Sequence, residues 1–91
     1  MKREDLARFV QNETYTLCKS LMRDIPRIKD STITTVWMLG CNLTPKQIVG
    51  IHPDKPTLTT VYKINSRFKE TIELLKQETH HAYKVAGLII D

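Results

Sequence analysis

Five cations fall between residues 46 and 69, namely Lys46, Lys55, Lys63, Arg67 and Lys69, and they face one acid, Asp54, for a net charge of +4. The whole 91-residue chain, with 14 basic and 10 acidic residues, is also +4, so the remaining segments cancel. Hydroxyls are interleaved with these cations: Thr57, Thr59, Thr60 and Ser66. Lysine and arginine neutralise phosphates, and threonine offers both a hydroxyl and a methyl to base edges. Positive charge gathered in one segment suits a surface that meets a polyanion better than it suits general solubilisation. The chemistry expected here is recognition of nucleic acid.

Catalytic chemistry is thinly supplied. His52, His80 and His81 are the only histidines, and two adjacent ones on a helix point about 100° apart, which makes a shared metal difficult. Cys18, Cys41 and His52 lack the close paired spacing of structural zinc sites. The two cysteines read as small apolar fillers, with a disulfide as the lesser alternative. The acids are scattered, and neither a glycine-rich phosphate loop nor a nucleophile elbow occurs. The expectation is a protein that is not an enzyme and needs no metal or cofactor.

These residues must be positioned by helices. Apolar residues form 41% of the chain, more than a disordered sequence carries, while three glycines and four prolines are too few for a turn-rich β fold. The length fits one small domain over residues 1–91. Leu6, Phe9, Val10, Leu17 and Leu21, with Thr14 and Cys18, mark one face of a first helix over residues 2–22, closed before Pro26. Asp30 or Ser31 can cap a second helix reaching Leu39, with Ile33, Val36, Trp37 and Gly40 inside. A β-strand over residues 32–39 is the rival reading, because three threonines and a valine lower helix propensity. Thr44, Pro45 and Gln47 have the spacing of a capping box with proline at the first helical position, predicting a short third helix to about Gly50 or Ile51. Pro53 and Pro56 impose a turn, in which His52 reads as an exposed residue, and Thr57 can cap the next helix.

From there the spacing lengthens. Val61, Phe68, Leu75, Ala82 and Ile89 recur every seven residues, and no helix breaker lies between residues 57 and 86. This predicts one long helix over about residues 57–90, or one broken near residues 79–81, with Val61, Phe68, Leu75 and Ala82 as an oligomerisation seam. The alternative is an amphipathic helix lying on the domain's own core. Trp37 reads as structural, and Tyr62 as half-buried packing beside the apolar stripe, with stacking or a phosphate contact as its functional alternative.

The layout of residues 44–69, a short helix, a turn and a basic, threonine-rich helix, is that of a helix-turn-helix. The run Met38-Leu39-Gly40-Cys41-Asn42-Leu43-Thr44-Pro45-Lys46-Gln47-Ile48-Val49 resembles the approach to the first motif helix in response-regulator output domains of the LuxR/GerE type. Ile48-Val49 stands at that family's Ile-Ala pair, and Thr60-Val61-Tyr62-Lys63 resembles the Thr-Val core of its recognition helix, although the stretch between them is slightly longer here. The resemblance implies that Thr59, Thr60, Lys63 and Arg67 face the major groove. Phage small terminase subunits, which join such a motif to a long C-terminal helix, are resembled as well.

The expectation is a homodimeric, sequence-specific binder of double-stranded DNA acting as a small transcriptional regulator. Its contacts would come from Lys46, Lys55, Thr57, Thr59, Thr60, Lys63, Arg67 and Lys69. The alternatives are a protein-binding or inhibitory helical adaptor of phage type, or the DNA-recognition subunit of a larger assembly. The charged N-terminus lacks a secretory signal. No apolar run approaches the ~20 residues that span a bilayer. A cytoplasmic location without a membrane partner is therefore expected.

Overall fold

The computed structural model describes residues 2–88, which form α1 (Arg3–Met22), α2 (Asp30–Gly40), α3 (Pro45–Ile51), α4 (Leu58–Arg67) and α5 (Lys69–Val85), with no strand among them. The helical reading of residues 32–39 holds. α2 touches all four other helices, and Ile33, Thr35, Val36, Met38, Leu39 and Gly40 are all buried. A helix enclosed on nearly every side gains enough from burial to override weak propensity. Its last residue marks a close approach to α5. A Cβ built on Gly40 would lie 2.6 Å from the Cβ of Leu75, so only glycine lets α5 come this close to α2.

The outer helices close around α2. On α1 the buried residues are Val10, Thr14, Cys18 and Met22, while Phe9 and Leu21 are exposed. The predicted face is thus rotated, because α1 must meet α2 and α5 together. Between α1 and α5, the Thr79 hydroxyl donates to Thr14 Oγ1 at 3.1 Å, and Thr14 donates to the Val10 carbonyl at 2.9 Å. Trp37 is structural, as expected. Its Nε1–H donates to the Gln11 carbonyl at 3.0 Å, and its ring meets Tyr15 edge-on at 5.0 Å. Cys18 and Cys41 are free thiols. Burial, with Cys41 nearby, pushes Cys18 up to about 12, and burial pushes Cys41 up to about 11.

The long helix expected over residues 57–90 is two helices. The chain bends at Phe68 (φ −112°, ψ 31°), which ends α4 and begins α5 without any proline or glycine. The oligomerisation seam needs correction as well. Val61, Phe68 and Leu75 are buried in the chain's own core, beside Ile48, Ile72 and Val36, and Ala82 is half-buried. The bend turns both helices onto α2, and the first three positions of the seven-residue spacing are buried within one chain. Ile89 lies outside the described residues.

Candidate nucleic-acid interface

The shortest helix is built from its caps. Thr44 Oγ1 accepts from the Gln47 N–H at 3.3 Å, and Gln47 Oε1 accepts from the Thr44 N–H at 2.9 Å, with Pro45 at the first helical position. α3 has seven residues, too few to persist alone. The reciprocal cap and fully buried Ile48 hold it in place.

The connection over residues 52–57 is held by a residue expected outside. His52 is only 2% exposed. Its Nδ1 accepts from the Asp54 N–H at 3.0 Å, so Nε2 carries the proton and donates to the Ser31 carbonyl at 3.2 Å. One ring thus ties the turn to the start of α2. The correction has a physical reason: the Ser31 carbonyl at the start of α2, which already accepts from the Thr35 hydroxyl at 2.8 Å, has a lone pair for a second donor, and a turn imidazole supplies it while closing its own loop. Lys55 next in the turn takes φ 45°, a left-handed conformation that costs a non-glycine residue about 1–2 kcal/mol. It is sustained by the Lys55 N–H donating to the His52 carbonyl at 3.0 Å.

α4 starts as the sequence predicts. Thr57 Oγ1 accepts from the Thr60 N–H at 3.2 Å and shares a second bond of 2.9 Å with the Thr60 hydroxyl. The hydroxyls of Thr57 and Thr60 are therefore occupied in shaping the helix end. The N–H groups of Leu58 and Thr59 have no acceptor among the described residues, and the first turn contains no acid. Val61 points inward with zero exposure, and Ile64 packs against the core.

All eight sequence-predicted DNA-contact residues are exposed: Lys46, Lys55, Thr57, Thr59, Thr60, Lys63, Arg67 and Lys69. Thr59, Lys63 and Arg67 come together, lining with Tyr62 and Ser66 a shallow, open depression along the outer side of α4. Arg67 and Lys69 meet again at the α4–α5 bend, where Glu70 adds an acid to the rim. Lys46 on α3 and Lys55 on the turn lie outside that depression. The five cations make no ion pair among the described residues. The Arg67 guanidinium instead sits over the Phe68 ring at 4.9 Å, a cation–π contact that restrains it near the bend.

Tyr62 departs from its expected role. It is 52% exposed and projects from the outer side of α4. Its place on a helix was legible, but its distance from the core depended on how α4 rolls on α2.

No family model, curated protein or solved structure matches the chain. No group of three or more His, Cys, Asp or Glu among the described residues is placed to hold a metal ion. No helix among them is long and apolar enough to cross a membrane.

Proposed function

We propose that this domain binds double-stranded DNA through the outer face of α4, as a small sequence-specific transcriptional regulator working in the cytoplasm. One observation carries the reading: a helix pinned from beneath by Val61 and from its approach by His52 presents Thr59, Lys63 and Arg67 together, with its cations unpaired. The width of the B-DNA major groove admits an α-helix. The open N–H groups of Leu58 and Thr59 suit a phosphate at the helix mouth, and Lys46, Lys55 and Lys69 suit backbone phosphates on either side.

The test is binding to random-sequence duplex across a salt series. Each phosphate contact releases counterions, so engagement of all five cations gives a log–log slope of about −4.5. A salt-independent interaction, or none, refutes the reading. Two copies on a palindromic site, with their α4 helices about 34 Å apart, remain part of it. A second copy would use side chains still outside the core, such as Phe9, Leu74 or Val85. The same exposed apolar residues favour the second reading, a helical adaptor that grips another protein or serves as the DNA-recognition subunit of a larger assembly.

A further inference from the structure

The three tyrosines are used in different ways. The Tyr15 ring packs edge-on against Trp37, and the Tyr83 hydroxyl accepts from Gln11 Nε2 at 3.1 Å. Tyr62 has neither a ring partner nor a hydrogen bond among the described residues, and it stands exposed in the depression beside Thr59, Lys63, Ser66 and Arg67. Of the other groups on this face, Thr59 and Ser66 are short side chains, and the rest are committed or generic. Thr57 and Thr60 hold the helix end, Arg67 is drawn toward Phe68, and lysine is a point charge suited to phosphate. From this arrangement we infer that Tyr62 is the residue that reads sequence, its ring packing on the C5-methyl group of a thymine in the major groove.

The inference rests on the duplex-binding reading above. The apolar feature at the edge of a base pair in that groove is the thymine methyl. An aromatic ring projecting from a helix toward the groove therefore has one apolar surface to cover, and covering it discriminates among base pairs. The cations around the ring supply affinity that is blind to sequence. Double-stranded RNA is disfavoured as the ligand, because its deep, narrow major groove does not admit side chains in this way.

The test starts from a site selected by the full chain from a pool of random duplexes. Uracil, which lacks the methyl, then replaces thymine at one position at a time. Wild type should lose about fourfold in affinity at one position, the value of one buried methyl. Tyr62→Ala should bind thymine and uracil equally there, while Tyr62→Phe keeps the discrimination because it keeps the ring. If wild type binds duplex with a steep salt slope but is indifferent to uracil everywhere, the inference fails and the functional reading survives. If Tyr62→Phe weakens binding as much as Tyr62→Ala on every sequence, the hydroxyl contacts phosphate, and the inference is overturned. If wild type binds no duplex at all, both readings fall. Tyr62 is exposed, so both variants should melt as wild type does.

Discussion

The two halves of this domain are held together differently. α1, α2 and α5 have 20, 11 and 17 residues and lack side-chain caps at their N-termini. They are stabilised by a tight interior centred on Gly40 and Leu75 and by the Thr79–Thr14–Val10 chain. α3 and α4 have 7 and 10 residues, and each begins on a capping threonine. Their connection is tied down by one buried imidazole, and the excess positive charge lies here and on Lys69, the first residue of α5. The remaining residues carry nine basic and nine acidic side chains, from 14 − 5 and 10 − 1. Long helices acquire order from the area they bury, whereas short ones need local hydrogen bonds to fix their ends. A small unit fixed by caps can present its outer face without spending apolar side chains on that face.

The largest effect should come from the packed half. Leu75→Ala removes a fully buried side chain at the α2–α5 contact and should cost about 2–5 kcal/mol in denaturant melts. Sedimentation should show no change of association state. If that variant instead melted normally and a wild-type dimer came apart, the seam would lie between copies after all. Gly40→Ala drives a Cβ against Leu75 and should cost about 1–3 kcal/mol.

His52→Ala distinguishes the halves. It removes one of two side-chain donors to the Ser31 carbonyl, which keeps the Thr35 hydroxyl at 2.8 Å, and leaves the Asp54 N–H without its acceptor, so about 1 kcal/mol or more of stability should be lost. Duplex affinity should fall even at temperatures where the chain remains folded, because α4 is no longer fixed against α2. Gly40→Ala should lose stability without that separate loss of affinity. Equal affinity in the two folded variants would remove the imidazole's role in positioning α4. Thr57→Ala should cost about 1 kcal/mol through the missing cap.

The smallest stability effect belongs to the charged face. Lys63→Ala with Arg67→Ala should change stability by less than about 0.5 kcal/mol per site, yet lower the salt slope of duplex binding by about 0.9 for each phosphate contact removed. Unchanged binding would exclude this face as the reader. The thiols give a pH signature of the packed half. Both are raised from 9.0, Cys18 to about 12 and Cys41 to about 11. The folded chain therefore holds its thiol protons longer than the unfolded one. Stability should be full below pH 9 and decline as pH rises through 9 to 12, a trend that replacing both cysteines with alanine should flatten.

Much of the candidate site was legible because its signals are local. Thr44 with Gln47, Pro45 at the first helical position and Thr57 act within one turn of chain, and all appear where the spacing puts them. The accumulation of charge is a property of the sequence alone, and all eight residues proposed for DNA contact are exposed. His52 and Tyr62 were misjudged for a shared reason. Whether a turn or helix residue faces inward depends on what packs beneath it, and residue 52 meets residue 31 only after folding.

By itself, the sequence determined that the chain is helical, where the short helices begin and where the positive charge collects. Those features rest on interactions reaching no more than four residues along the chain. Only the tertiary structure decided that Val61, Phe68 and Leu75 are buried within one molecule, that Phe68 bends the chain, and which side of α1 is buried. Burial of apolar surface has no direction and no address. A stripe of Val61, Phe68 and Leu75 is satisfied equally by a second copy or by α2 of the same chain, and here the bend at Phe68 lets the chain cover its own stripe.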